Sequence, residues 1–119
     1  MCVEGVRSSV ADAKASIKSG HVDNVEILGS PIHRAQRRLR SERPDAVILN
    51  PSAAGADPPT LEMIVSSPAR RAAYLSCDPK TLVRDLEILI KGGFQLVTIR
   101  AIDMMPQTRQ VEALAFLRR

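Results

Sequence analysis

One stretch of the chain decides its fold: residues 72–93, which read AAYLSCDPKTLVRDLEILIKGG. It begins with the apolar run Ala72–Ser76, which is typical of a buried β-strand. Asp78 then stands where a helix N-cap is expected, and Pro79 suits the first helical position. The helix is predicted to run to Lys91, before two consecutive glycines end it. The stretch therefore reads as a buried strand, a tight turn and an amphipathic helix.

The same alternation of short apolar strands and helices extends over the rest of the chain. The predicted strands are Met1–Glu4, Val25–Leu28, Ala46–Leu49, Ala72–Ser76, Phe94–Ile102 and Val111–Leu117. The other predicted helices are Ser8–Ser19, Ile32–Ser41 and Thr60–Ser66. Such alternation indicates an α/β fold with a largely parallel sheet. The loop between the last two strands is too short for a crossover helix, so these strands are expected to be antiparallel.

A mostly parallel sheet with an antiparallel last strand is the arrangement of Rossmann-like methyltransferases. In that fold a glycine-rich loop follows the first strand, but the 6 glycines of this chain form no such cluster. We therefore expect residues 1–119 to be one truncated domain that lacks the first strand and its loop. The sheet should then show a gap, a rearranged pairing of Met1–Glu4 with Ala46–Leu49, or marginal stability.

Two local signals concern the first helix. Ser8 or Ser9 is expected to cap its N-terminus through the hydroxyl, and Gly20 is expected to take the left-handed position after its C-terminus.

Composition limits the possible partners. The net charge of +4 is compatible with a nucleic-acid partner, whereas an aromatic content of 3% argues against bases stacked on an exposed sheet. Cys2 and Cys77 have no metal-ligand spacing, so no metal is expected. Neither a signal peptide nor a membrane-spanning apolar run is present, which indicates a cytoplasmic protein without a membrane partner. One predicted helix carries Arg34, Arg37, Arg38 and Arg40; a solvated face is favoured there over an RNA contact.

Three segments at the C-terminal ends of predicted strands carry the chemistry. They are Asn50–Gly55, Ser76–Thr81 and Asp103–Glu112. Open α/β sheets bind ligands at this edge. Cys77 would lie at a helix N-terminus, where unpaired N–H groups and the helix dipole favour a thiolate. Taken alone, however, such a cysteine is usually a small buried apolar residue, and a strand glutamate such as Glu112 usually faces solvent.

Together these segments resemble the RNA uracil carbon-5 methyltransferases. That family has a D-P-P-R-A-G loop, then S-C-N-P-x-T, then D-M-F-P-x-T-x-H-x-E. The corresponding stretches here are NPSAAG (50–55), SCDPKT (76–81) and DMMPQTRQVE (103–112). Order and spacing agree from about Asp45 to Arg119, and more loosely before that. The departures are Asn50 for Asp, Ala53 for Arg, Asp78 for Asn and Gln110 for His.

The resemblance implies a mechanism and a cofactor, S-adenosyl-L-methionine. Cys77 would be the nucleophile that adds to carbon 6 of uracil, and Glu112 the general base that removes the carbon-5 proton. Asn50 would contact the uracil edge. Glu4 would bind the ribose of the cofactor, and Ser30 stands where many cofactor-binding folds place an adenine-contacting Asp.

The first hypothesis is therefore a divergent or incomplete form of an enzyme that methylates carbon 5 of uridine in tRNA or ribosomal RNA, and the isolated chain is expected to be inactive. The alternative is a non-catalytic relic or RNA-binding remnant of the same fold. A cytosine carbon-5 methyltransferase would use similar cysteine chemistry, but the C-terminal motif does not favour it. A purely structural α/β domain would leave three motif matches to coincidence.

Overall fold

A computed structural model of the chain describes residues 1–104, 106–107 and 111–119. The chain divides into two compact units, Met1–Glu42 and Arg43–Arg119. The strands are β1 (Cys2–Glu4), β2 (Ile27–Gly29), β3 (Ala46–Leu49), β4 (Arg71–Ser76), β5 (Gln95–Ile102) and β6 (Glu112–Arg118). The helices are α1 (Arg7–Ser19), α2 (Ile32–Ser41), α3 (Pro58–Ser66) and α4 (Pro79–Lys91). The predicted order of elements is confirmed, with the second predicted strand displaced toward Gly29.

The first unit is a parallel strand pair with two helices. β1 pairs with β2 so that Cys2 lies opposite Ile27 and Glu4 opposite Gly29. A Cβ atom at Gly29 would lie 3.2 Å from a methyl carbon of Val10 in α1, so the helix packs closely on this strand. The C-terminal ends of both strands consequently lie side by side.

Both predictions about the ends of α1 were wrong. The N-cap is Val6, which makes no side-chain cap, and Ser8 and Ser9 lie inside the helix. Gly20 has a φ of −81°. The residue with positive φ is His21, at 51°. Its amide donates to the carbonyl of Lys18, 3.4 Å away, so the left-handed position comes one residue later than expected.

The second unit contains a four-stranded mixed sheet in the order β3-β4-β6-β5. β3 and β4 are parallel, and β6 is antiparallel to both of its neighbours. Tyr74, Phe94, Leu61 and Leu89 are among its most deeply buried side chains. The core is otherwise largely aliphatic. The α/β fold with an antiparallel last strand is confirmed.

Helices α3 and α4 pack closely against each other. A Cβ atom at Gly92 would overlap the side chain of Val65, so this position accepts only glycine without a shift of the helices. Gly93 has a φ of +97°, which favours glycine and ends α4 as predicted.

The strands belong to two separate sheets, because β1 pairs with β2 and β3 pairs with β4. The rearranged pairing of Met1–Glu4 with Ala46–Leu49 is therefore wrong. The expectation of a single truncated domain stays a prediction. No helix in the described ranges is both long and apolar enough to cross a membrane.

Candidate active site

The ends of four strands meet at one edge of the second unit's sheet. β3, β4 and β5 run in the same direction, so Asn50, Cys77 and Asp103 each follow the C-terminal end of a strand at that edge. β6 runs the other way and begins there, at Glu112. The topology therefore brings residues from all three chemistry-bearing segments to a common edge.

Cys77 and Glu112 lie at the same end of two neighbouring strands. The ladder between β4 and β6 ends at the pair Ser76 and Ala113. Cys77 directly follows Ser76, just after the end of β4, and Glu112 directly precedes Ala113 as the first residue of β6. Side chains alternate between sheet faces, so residues that continue an antiparallel register share one face. Cys77 and Glu112 therefore flank the last pair of the ladder, at the end of the sheet where the ligand-binding loops lie.

A short hydrogen-bonded turn fixes the backbone around Cys77. The hydroxyl of Ser76 donates to the carbonyl of Asp78 at 3.0 Å, and the Asp78 amide donates back to that hydroxyl at 3.2 Å. Ser76 is buried, with 2% of its surface exposed. Cys77 itself is a free, half-buried thiol between this turn and the first turn of α4. The sulfur thus lies where a strand ends and a helix N-terminus begins.

Asp78 caps α4 as predicted. Its Oδ1 accepts from the amide of Lys80 at 2.8 Å and from the amide of Thr81 at 2.9 Å. These bonds, with the Thr81 amide contributing most, lower the pKa of the Asp78 carboxyl from its usual value of 3.8. The negative charge next to Cys77 is thus engaged by the helix N-terminus.

This cap makes a prediction about pH. Because the pKa of Asp78 is lowered by folding, its charge stabilises the folded state above the usual pKa and this contribution is lost as pH falls through the lowered pKa. The Asp78→Asn variant keeps an acceptor but not the charge. Urea unfolding should find it less stable than wild type at pH 7, with a difference that disappears in acid. A difference that stays constant from pH 7 to acid would contradict this role.

The loop Asn50–Ala56 is attached to α4 by side-chain hydrogen bonds. Gly55 has a φ of +79° and donates its amide to the Ser52 carbonyl at 2.8 Å, which closes a tight turn. Thr81 Oγ1 donates to the carbonyl of Ala53 at 3.1 Å, and an Arg84 nitrogen donates to that of Ala54 at 3.0 Å. The loop that begins with the exposed Asn50 is therefore tied to the helix that follows Cys77.

A buried polar network anchors the end of this loop. Asp85 and Tyr74 each have 0% of their surface exposed. Asp85 Oδ2 accepts from the Tyr74 hydroxyl and from the Ala56 amide, the latter at 2.7 Å. Asp85 Oδ1 accepts from Arg84 Nε at 2.7 Å. Burial, followed by the hydrogen bond to Asp85, raises the pKa of Tyr74 well above its usual value of 10.0.

Sequence reasoning missed this network, although a signal was present. Asp85 lies three residues after Leu82 and four before Leu89, on the buried face of α4. A carboxylate on the apolar face of a helix needs partners, because burying an unpaired charge is costly. A Cβ atom at Gly55 would approach Asp85 Oδ2 to 2.6 Å, which explains a glycine in this loop.

The two cofactor residues predicted from the sequence lie in the first unit. Glu4 ends β1 opposite Gly29, and Ser30 directly follows Gly29. The two residues thus share the C-terminal edge of the parallel pair. Glu4 Oε1 accepts from the Val6 amide at 2.7 Å, which orients the carboxylate. The Ser30 hydroxyl makes a long bond of 3.3 Å to the Pro31 carbonyl.

Part of the third motif falls outside the described residues, namely Met105 and Thr108–Gln110. The replacement of the family's histidine by Gln110 is among these positions. In the described part of the chain, no group of three or more His, Cys, Asp or Glu side chains could hold a metal ion.

Sequence comparison finds relatives over the whole chain. A family model described as tRNA (uracil-5-)-methyltransferase matches residues 1–119. An uncharacterized RNA methyltransferase of Clostridium tetani is 32% identical over 117 residues, which are 98% of this chain and 25% of that protein. One from Thermotoga maritima is 36% identical over 110 residues, 92% of this chain and 25% of that protein. The chain thus spans about a quarter of the length of these curated relatives.

Solved structures agree with the fold. A tRNA (uracil-54, C5)-methyltransferase of Pyrococcus abyssi, in complex with S-adenosyl-L-homocysteine, superimposes with a TM-score of 0.82 at 26% identity. The match covers 97% of this chain and 27% of that one. A precorrin-6y C5,15-methyltransferase of Geobacter metallireducens has a TM-score of 0.65 at 14% identity, over 97% of this chain and 63% of that one, and shows the fold alone.

Proposed function

Because this chain belongs to the tRNA (uracil-5-)-methyltransferase family, we propose that it carries the nucleophile and the general base of an enzyme that methylates carbon 5 of uridine in RNA. The observation that supports this proposal is the sheet topology, in which β4 ends just before Cys77 and the antiparallel β6 begins at Glu112, so that the two residues flank the last ladder pair of Ser76 and Ala113. The substrate class is tRNA or ribosomal RNA.

Cys77 supplies the nucleophile. Carbon 5 of uracil is too poor a nucleophile to react unaided, so the thiolate first adds to carbon 6 and forms a C–S bond. The electron pair of the C5–C6 double bond moves onto carbon 5, which becomes enolate-like and reactive. The Ser76–Asp78 turn holds the Cys77 backbone during this step, and the uracil must leave its base stack to reach the sulfur.

Glu112 completes the cycle as a general base. Once carbon 5 carries a new substituent, its proton must leave so that the double bond between carbon 5 and carbon 6 can form again. The Glu112 carboxylate takes this proton, the C–S bond breaks, and Cys77 returns as a thiolate. Asn50 accepts from the uracil N–H with its amide oxygen, on a loop that Thr81 and Arg84 attach to α4.

The polar side chains at the end of the strand pair in the first unit fit a nucleoside cofactor such as S-adenosylmethionine. A carboxylate at the end of a parallel strand can accept from both ribose hydroxyls, and Glu4 is already oriented by the Val6 amide. Ser30 lies beside it and offers a hydroxyl. When bound, S-adenosylmethionine supplies an activated methyl group.

The cofactor assignment predicts a binding defect. Replacement of Glu4 by Gln is expected to weaken S-adenosylhomocysteine binding about tenfold or more, because a hydrogen bond to a charged group contributes about 1.5–3 kcal/mol. Titration calorimetry measures this directly. Glu62→Gln, which changes an exposed carboxylate on α3, is the matched control. Equal affinities of the Glu4→Gln variant and the wild type would remove Glu4 from the site.

The reaction can be tested without the cofactor. Addition of Cys77 to carbon 6 makes carbon 5 basic enough to take a deuteron from D₂O. Removal of the original proton by Glu112, followed by C–S cleavage, returns uridine with deuterium at carbon 5. The proposal predicts that RNA incubated with the protein in D₂O gains one deuterium at carbon 5 of the target uridine. Wild-type protein that binds RNA and leaves carbon 5 unlabelled would favour a non-catalytic remnant.

A further inference from the structure

An arginine-lined cleft lies at the opposite end of the second unit's strands. It has a volume of about 460 Å³ and is lined by Asp45, Arg70, Arg71, Arg118 and Arg119. Arg71 begins β4 and Arg118 ends β6, whereas Cys77 follows the other end of β4. Six residues of strand, at roughly 3.3 Å each, put about 20 Å between the cleft and the candidate active site.

Sheet pairing brings the arginines of the cleft together. Arg71 and Arg118 are direct partners in the antiparallel register. The Arg119 amide donates to the Arg70 carbonyl at 3.0 Å, and the Arg70 amide donates to the Asp45 carbonyl at 3.0 Å. Like charges directly opposite each other on antiparallel strands destabilise a sheet. The fold therefore tolerates a charge repulsion that a bound anion would relieve.

One of the four arginines has a structural role. The Arg119 guanidinium donates to the carbonyls of Val65 at 2.7 Å and Ala69 at 2.8 Å, at the C-terminal end of α3. It also lies 4.3 Å from the centre of the Phe94 ring. The N–H groups of this guanidinium therefore bind carbonyls of the protein and not a ligand.

The other three arginines are available to a ligand. Arg70, Arg71 and Arg118 are exposed. None of the ion pairs found among the described residues involves them or Asp45. The cleft thus presents three guanidinium groups and a single carboxylate to solvent. Guanidinium groups bind phosphate oxygens through paired, charge-assisted hydrogen bonds.

We propose that this cleft binds phosphate groups of the RNA backbone, at a distance from the uridine that reacts at Cys77. The identity of the polyanion rests on the proposed function, whereas the anion site rests on the arginines alone. The site recognises backbone and not sequence, because it offers charge without an exposed aromatic side chain among its lining residues. Its role is to hold an RNA that extends along the sheet from the active-site edge.

The test compares two double variants of equal charge change. Arg71→Gln/Arg118→Gln removes two guanidinium groups from the cleft, and Lys14→Gln/Lys18→Gln removes two exposed charges from α1. Binding of a fluorescently labelled RNA hairpin is measured from 50 to 200 mM salt. The cleft variant should reduce the slope of log K against log salt by about two, to the same extent for hairpins of different sequence. The control should change the slope by less than half as much.

The melting temperature and the deuterium exchange distinguish loss of the anion site from misfolding and from failure of the catalytic proposal. The cleft variant should melt at or above the wild-type temperature, because it relieves the repulsion between Arg71 and Arg118. The variant Arg71→Lys/Arg118→Lys should recover most of the slope. A cleft variant whose slope matches that of the α1 control would overturn the proposal. If the slope falls as expected but wild type fails to exchange deuterium at carbon 5, the anion site stands and the catalytic proposal fails.

Discussion

Replacement of Cys77 by Ala is expected to reduce deuterium exchange at carbon 5 of uridine to the level of RNA without protein. Among the described residues that directly follow or begin a strand at this edge, Cys77 carries the thiol, whereas Asn50 carries an amide and Asp103 and Glu112 carry carboxylates, which are weaker nucleophiles toward carbon 6. Without the bond to carbon 6 the electron pair stays in the ring and carbon 5 takes no deuteron. Mass spectrometry of the recovered nucleosides measures the label.

Two variants make this result specific. Cys2→Ala removes the other cysteine, which is free and exposed in the first unit, and should exchange as fast as wild type. Glu112→Gln should slow exchange by about 10²–10⁴-fold, the usual contribution of a general base, while leaving addition of Cys77 intact. Exchange by Cys77→Ala at more than a tenth of the wild-type rate would exclude Cys77 as the nucleophile.

Replacement of Asp85 by Ala is expected to lower the free energy of unfolding by about 3 kcal/mol. Loss of the carboxylate leaves the buried Tyr74 hydroxyl without its acceptor, and a buried group left unsatisfied costs about 1–3 kcal/mol. The Ala56 amide loses its 2.7 Å bond to Asp85 and keeps only its 3.2 Å bond to the Tyr74 hydroxyl. The Tyr74→Phe variant removes the hydroxyl that donates to Asp85 and accepts from the Ala56 amide, but leaves that amide its bond to Asp85, and should cost about 1–2 kcal/mol. Urea unfolding measures both changes.

The control for this prediction lies on the same helix. Glu87 is exposed, and its ion pair with Lys91 is long, at 3.6 Å. Glu87→Ala should therefore change the free energy of unfolding by less than about 0.5 kcal/mol. Hydrogen exchange should also show faster opening at Ala56 in Asp85→Ala than in Glu87→Ala. If Asp85→Ala were no more destabilising than Glu87→Ala, the network would not hold the loop.

Local signals in the sequence were enough to predict the elements that surround Cys77. Asp78 and Pro79 fix the start of α4 because their effects depend on the next three residues alone. The antiparallel pairing of the last two strands followed from the length of their loop. The adjacency of β4 and β6, which brings Cys77 and Glu112 to the same end of neighbouring strands, was not predicted from the sequence.

Features that depend on contacts distant in sequence were not predictable in the same way. Asp85 finds its partners 11 and 29 residues away, in Tyr74 and Ala56. The arginine cleft forms only because the β4–β6 register places Arg71 beside Arg118. At the start of α1 several capping residues were available, and the helix begins at Arg7 instead of after a serine hydroxyl. Capping propensity ranks the candidate residues but does not decide which of them begins the helix.

Trapping with 5-fluorouridine tests the central claim, covalent catalysis by Cys77, most directly. RNA carrying 5-fluorouridine at the target position is incubated with the protein and S-adenosylmethionine, and the denatured protein is analysed by mass spectrometry. Glu112 cannot remove fluorine from carbon 5, so the adduct should persist, with the RNA attached to the peptide that contains Cys77. An identical adduct on the Cys77→Ala variant, or attachment at any other residue of the wild type, would contradict the account.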